Sequence, residues 1–241
     1  MDTIFKMDTI YDNVFMVLLY EVLPFYIYFE TFWFCLKRLF DFNEFYFLMH
    51  YFVNLFNTIV LIPVIKTVLK NPLSQSVDVI ENHYIDYIYP MIIGLHTLHL
   101  VHHLKYIHYD EIFHHIVTHV FWYGTYYCNS SPIYIIPMIG MSGIPGGITY
   151  LMLFLQKFGY IGRMTEKKIS MYLNIWVRAP MCIIASTLMY IKNNDELIHQ
   201  NKSMFDYNMT LFMIFFTFIN GVHFMNNIIE SYYQHYYKKY F

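Results

Sequence analysis

The sequence predicts an all-α protein, a multi-pass transmembrane bundle of about seven helices within a range of roughly five to eight. Three observations carry that prediction. Only 13% of the 241 residues are charged, while 57% are hydrophobic and 21% are aromatic. A soluble domain carries about 25% charged residues, so a soluble fold built from this chain would expose large apolar patches. The hydrophobic residues also gather into stretches near the length of about 20 that crosses a hydrocarbon core of about 30 Å. Finally, most of the Lys and Arg residues sit in the short connections between these stretches.

Seven stretches qualify, at 14–36, 46–65, 84–104, 111–128, 132–155, 169–191 and 209–229. The first contains Glu21, Pro24 and Glu30, which predict a bent or partly peripheral helix. The second is almost uninterrupted. The third and fourth are separated by a few residues and are rich in histidine, so they predict an antiparallel hairpin. The fifth carries Ser142-Gly143-Ile144-Pro145-Gly146-Gly147. Pro and Gly inside a membrane helix break its ladder, and neighbours must satisfy the freed backbone groups. The same small residues also permit close helix packing. The sixth contains Arg178, a buried cation for which Asp86, Glu21 or a lipid headgroup is the expected partner. The seventh leads to a tail over 231–241.

Charge and cysteine usage exclude other classes. Net charge is -2, with no basic excess of the kind a nucleic-acid partner requires. Cys35, Cys128 and Cys182 are an odd number and form no CxxC, which points to neither a disulfide framework nor a zinc site. The N-terminus has Asp2, Asp8 and Asp12 against a single Lys6, unlike a secretory signal peptide, so the first apolar stretch is expected to stay. MDTI occurs at 1–4 and 7–10, a local duplication without the period of a repeat architecture.

Orientation follows from the connections. Lys37, Arg38, Lys105, Lys157, Arg163, Lys167, Lys168, Lys238 and Lys239 gather on one side. Lys6, Lys66, Lys70, Lys192 and Lys202 gather on the other. The first set is expected in the cytoplasm, with the N-terminus lumenal and the C-terminus cytosolic. The glycosylation acceptors at Asn129, Asn201 and Asn208 fall on the expected lumenal side. The ending Lys238-Lys239-Tyr240-Phe241 resembles a cytosolic di-lysine retrieval signal of the endoplasmic reticulum, and it equally fits a pair of snorkelling lysines.

Eight of the thirteen histidines lie between 96 and 119. At about 100° per residue, His96, His99 and His103 share one helical face, with His102 to one side. Glu111, His114, His115, Thr118 and His119 share one face of the next stretch. Three chemistries fit such a cluster. Neutral imidazoles ligate zinc or iron. A histidine can serve as general base for an amine or hydroxyl attacking a thioester. Interfacial histidines can also simply hydrogen-bond tyrosines, acids or carbonyls. Ionisable groups at membrane depth favour a functional role for the cluster as a whole.

The run Asp110-Glu111-Ile112-Phe113-His114-His115-Ile116-Val117-Thr118 resembles the HHxxT motif of the TLC family of membrane proteins, the TRAM, Lag and CLN group. Tyr84-Ile85-Asp86-Tyr87 resembles that family's aromatic-plus-Asp motif on the preceding helix. Asn174, Trp176 and Arg178 resemble its late segment with an intramembrane arginine. The resemblance spans roughly residues 45–230, which makes 1–44 an N-terminal segment with the first span and 231–241 a cytosolic tail. It implies a helix bundle around a lipid-accessible cavity, membrane lipids as partners and an endoplasmic reticulum location. By resemblance to the ceramide synthases, His114 and His115 are the catalytic candidates, with Asp86 and Asp110 as supporting acids. His99, His103, Thr118 and Arg178 are candidates for lipid contact or cavity lining. No cofactor is implied, and acyl-CoA is the candidate substrate. Two departures from the synthases stand out. There is no homeobox-like N-terminal domain, and 116–162 contains no Asp or Glu where the synthases carry an acid-rich stretch.

Two alternatives remain. His99-Leu100-Val101-His102-His103 is an HxxHH, the box of fatty acyl hydroxylases, desaturases and elongases, in which His99, His102 and His103 would be metal ligands. A second HxxHH and the elongase companion motifs are absent from the sequence. The other alternative is a lipid binder or sensor with the same bundle and no chemistry.

Overall fold

The computed structural model describes residues 16–40, 45–72, 84–103, 109–128, 133, 136–199 and 202–240. The protein is all-helical, with no strand among the described residues. Its helices are α1 (Leu23–Phe40), α2 (Phe45–Lys70), α3 (Tyr84–His103), α4 (Tyr109–Cys128), α5 (Ile136–Lys157), α6 (Arg163–His199) and α7 (Met204–Tyr240). The described part of each apolar stretch falls mainly on one of them. Four of these helices, α2, α5, α6 and α7, are long and apolar enough to cross a membrane. Helices α3 and α4 carry the histidines, and α1 carries Glu30, Lys37 and Arg38, so these three are more polar.

The chain divides into two compact units. One contains α1, Tyr46, α3 and α4 as far as Trp122. The other contains α2 from Phe47, the end of α4, and α5 to α7. Helix α7 runs unbroken through Tyr240.

Among the described residues three π-helical turns interrupt the ladder, at Leu18–Val22, Ile139–Gly143 and Asn174–Arg178. Each ends two residues before a proline, namely Pro24, Pro145 and Pro180. Proline has no N–H to donate and its ring clashes with the carbonyl four residues back. A turn with one extra residue moves that carbonyl aside while the helix continues. Pro63 and Pro90 are accommodated within α2 and α3 themselves.

In the larger unit α2 buries polar residues and exposes large apolar ones. On α2 the buried positions include His50, Val53, Asn54, Asn57, Leu61, Val64 and Val68, which recur every three or four residues. The opposite face exposes Phe52, Leu55, Phe56, Ile59 and Ile62. Burying asparagines while exposing phenylalanine suits a lipid solvent and is opposite to a soluble helix. Small residues allow close crossings. A Cβ on Gly143 would lie 2.9 Å from Thr58 Oγ1, and one on Gly146 would lie 3.2 Å from Asn54 Nδ2. The Gly-Pro-Gly run of α5 therefore packs against α2. Gly221 of α7 sits against Ala179 and Cys182 of α6.

Local signals set the connections. Gly159, at φ 77°, makes the turn between α5 and α6, a backbone region that glycine enters without strain. Ser203 caps α7: the Asp206 backbone N–H donates to Ser203 Oγ at 3.1 Å, and Ser203 Oγ donates to Asp206 Oδ2 at 2.7 Å.

Candidate functional site

In the smaller unit α3 and α4 pair antiparallel. Tyr89 meets Trp122, Thr97 meets His119, and His99 meets His115, so rising numbers on α3 match falling numbers on α4. Gly94 lets α1 approach, since a Cβ there would lie 3.0 Å from Phe25 Cβ and 3.1 Å from the Tyr26 nitrogen.

This register brings the histidine faces together. His115 is buried at 3% exposure. Its Nδ1 lies 3.3 Å from His96 Nδ1, so one ring donates the proton and the other accepts it. The His99 ring packs edge-on against His115, with centroids 4.8 Å apart, and the Tyr46 ring lies 5.3 Å from that of His99. One turn further on, His119 Nδ1 donates to the His115 carbonyl at 2.7 Å. In the neutral ring Nε2 is then the acceptor, and it lies 3.1 Å from Thr97 Oγ1. The Thr97 hydroxyl also lies 2.8 Å from the Ile93 carbonyl, so its single proton is shared between two acceptors. The cluster is thus a set of imidazoles in which backbone and threonine fix the His119 tautomer and one proton lies between His96 and His115. Such an arrangement can take a proton from a nucleophile and pass it on.

His102 turns the other way, as its helical phase predicts. Its Nε2 donates to Glu30 Oε2 of α1 at 2.6 Å, and its ring lies 4.2 Å from that of Trp33. His99 and His102 of the HxxHH therefore face different partners. Among the described residues there is no group of three or more His, Cys, Asp or Glu that could hold a metal ion.

The other candidates are placed less completely. Asp86 lies in the first turn of α3, and Asp110 and His114 lie in the first two turns of α4, but their side chains are outside the described residues, as are those of His103 and Glu111. Thr118 is half-buried on α4, one position before His119.

Arg178 is in the larger unit, and its partners differ from those expected. Its guanidinium donates to the Met141 carbonyl at 2.6 Å and to Asn174 Oδ1 at 3.3 Å, and it lies over the Phe224 ring at 4.8 Å. No described carboxylate pairs with it, and the Asp86 side chain lies outside the described residues. The bond to the Met141 carbonyl has its physical reason in Pro145. Four residues after Met141, it has no N–H to offer that carbonyl, and Arg178 supplies the missing donor. Two problems posed separately by the sequence, a proline in α5 and an arginine in α6, answer each other.

Arg178 also ends a polar file that the residue types alone make readable. Glu166, Ser170, Asn174 and Arg178 recur every fourth residue, and the first three are buried. Ser170 Oγ donates to Glu166 Oε1 at 3.1 Å, and Asn174 Nδ2 donates to the Ser170 carbonyl at 2.8 Å. The i, i+4 spacing was the available signal.

Comparison with protein-family models, curated proteins and solved structures gives no match for this chain.

Proposed function

We propose that the chain is an integral membrane protein of the TLC type that acts on or binds membrane lipids. Its candidate reaction is acyl-CoA-dependent N-acylation of a sphingoid base. The observation that carries this reading is the burial of His115, the second histidine of the HHxxT run, against both His96 and His99. In such a reaction the amine nitrogen attacks the thioester carbonyl carbon, the C–S bond breaks and the thiolate leaves. His115 accepts the amine proton, the His96 pair shares it, and the proton returns to the departing thiolate. Met141, Asn174 and Phe224 leave Arg178 without a counter-charge among the described residues, which suits contact with a lipid anion. The accompanying topology has seven crossings, a lumenal N-terminus and a cytosolic C-terminus in the endoplasmic reticulum.

The test uses membranes containing the full chain, a sphingoid base and acyl-CoA, with mass spectrometry of the product and of co-purified lipid. N-acylated product that disappears with His115→Ala supports the acyltransferase reading. Product unchanged by that substitution sinks the assigned role. Co-purified lipid without product leaves the binding role alone. Loss of an oxidised or elongated acyl product on replacing His102, with His115→Ala silent, would instead favour the histidine-box enzyme.

A further inference from the structure

A second polar group lies in the larger unit, where α2 and α5 meet α6. Asn57 of α2 is 2% exposed, and neither the nitrogen nor the oxygen of its side-chain amide has a hydrogen-bond partner among the described residues. Leaving an amide unmade in an apolar interior is costly. Asn54, one turn before it, is also buried. Arg178 approaches from α6. Its terminal nitrogens serve Met141 and Asn174, while its Nε is buried without a partner among the described residues. Gly146 of α5 lies between these groups: a Cβ there would stand 3.2 Å from Asn54 Nδ2 and 3.9 Å from Arg178 Nη2. Two donors thus flank a position at which α5 carries no side chain.

Depth follows from the exposed faces. Trp176 of α6 is 73% exposed, and an outward tryptophan marks a membrane–water interface. On α7 the outward residues Phe215, Phe218 and Ile219 give way, from His223 on, to Asn226, Asn227 and Glu230. That change from apolar to polar comes just past Gly221, which sits against Ala179 of α6. Both helices therefore set the headgroup boundary close to the level of Arg178. Asn57 lies deeper. Thr58 meets Gly143 and Asn54 meets Gly146, so rising numbers on α2 run away from the α5–α6 turn and into the hydrocarbon. Three residues at 1.5 Å each put Asn57 about 4.5 Å below Asn54.

We propose that Arg178, Asn54 and Asn57 form a two-level site for one phospholipid: Arg178 and Asn54 donate to a phosphodiester oxygen at the boundary, and Asn57 donates to an acyl ester carbonyl beneath it. A phospholipid carries those two acceptors in that order, a few ångströms apart, whereas free phosphate and a free fatty acid each supply only one of them. Zwitterionic and anionic lipids share the phosphodiester, so the site reads an oxyanion rather than a net charge. The proposal rests on the lipid contact of Arg178 put forward above and specifies its ligand. It uses none of the histidines, so lipid retention here and product formation at His115 succeed or fail separately.

The test compares the full chain with Asn57→Leu and Asn54→Leu in neutral detergent. Each is given phosphatidylglycerol with ester-linked chains or its ether-linked analogue, which lacks the carbonyls, and native mass spectrometry counts the lipid retained. One hydrogen bond to the carbonyl sets the expected preference of the unmodified chain at about fivefold for the ester lipid. Asn57→Leu should abolish that preference by lowering retention of the ester lipid alone. Asn54→Leu should lower retention of both lipids alike, again about fivefold. Equal retention of the two lipids by the unmodified chain overturns the proposal, as does a preference that survives Asn57→Leu. If Asn57→Leu does not fold, the ester preference of the unmodified chain and its persistence in Asn54→Leu decide the matter. A parallel arm adds inorganic phosphate alone, which should leave the melting temperature unchanged at concentrations where the ester lipid raises it. An equal rise with phosphate would assign the site to a soluble anion and refute the two-level recognition.

Discussion

Replacing Arg178 with Met removes the donor that serves the Met141 carbonyl at 2.6 Å and the contact over Phe224 at 4.8 Å. A charged hydrogen bond contributes about 1.5–3 kcal/mol and a partly desolvated cation–π contact about 1–2 kcal/mol. Against this, the substitution abolishes a desolvated charge, which recovers several kcal/mol at most. The net expectation is a loss of about 1–3 kcal/mol, of which the orphaned carbonyl is the specific part. That part is separable. Pro145→Ala restores an N–H four residues after Met141, so the carbonyl acquires a helical donor and no longer depends on Arg178. In the Pro145→Ala background, Arg178→Met should therefore cost less by about 1–2 kcal/mol, the desolvation penalty of one buried carbonyl. The assay is a double-mutant cycle on reversible unfolding in mixed micelles. Additive costs, within about 0.5 kcal/mol, would refute the claim that the arginine substitutes for the proline's missing donor.

Other expectations follow from packing and placement. Gly221→Ala puts a Cβ 2.7 Å from Cys182 Cβ and 3.3 Å from Ala179 Cα, both fixed to backbone, and should destabilise by about 1–3 kcal/mol in a thermal melt. Gly162→Ala meets nothing within 4 Å and should leave the melt unchanged, so equal effects of the two would undo the packing argument. His102→Ala breaks a partly exposed pair with Glu30 and should lower stability by no more than about 1 kcal/mol, whereas a much larger loss in the same melt would mean that the pair is buried in the membrane-embedded protein. A glycosylation tag fused after Phe241 should remain unmodified, and a mass shift on treatment with a glycosidase would reverse the proposed topology.

The helical class and the positions of the helices were legible because composition and segment length depend on local sequence alone. The histidine cluster was legible for the same reason: helical phase put His96 and His99 on one face and His102 to one side. Which residues would meet across elements was not. For Arg178 the sequence offered Asp86, Glu21 or a lipid headgroup, because it shows charge and hides backbone carbonyls; it could not show the Met141 main-chain oxygen, which Pro145 leaves without a helical donor. The Pro-linked π turns follow a rule that the sequence carries at Pro24, Pro145 and Pro180, yet Pro63 and Pro90 do without them, so tertiary packing decides which prolines widen the helix.

The length of α7 has a geometric consequence. Its 37 residues measure about 55 Å at 1.5 Å each. Even at a tilt of about 40°, such a rod projects some 40 Å along the bilayer normal, more than a hydrocarbon core of about 30 Å. The helix must therefore overrun the apolar layer. Its last turns, with Tyr232, Tyr233, Tyr236 and Tyr237, then form a stiff post at or above the interface. Lys238 near its end is carried at a fixed height and compass bearing, set by residue count. One inserted residue between 231 and 237 would swing that bearing by about 100°, so anything that reads the tip would read a direction as well as a charge.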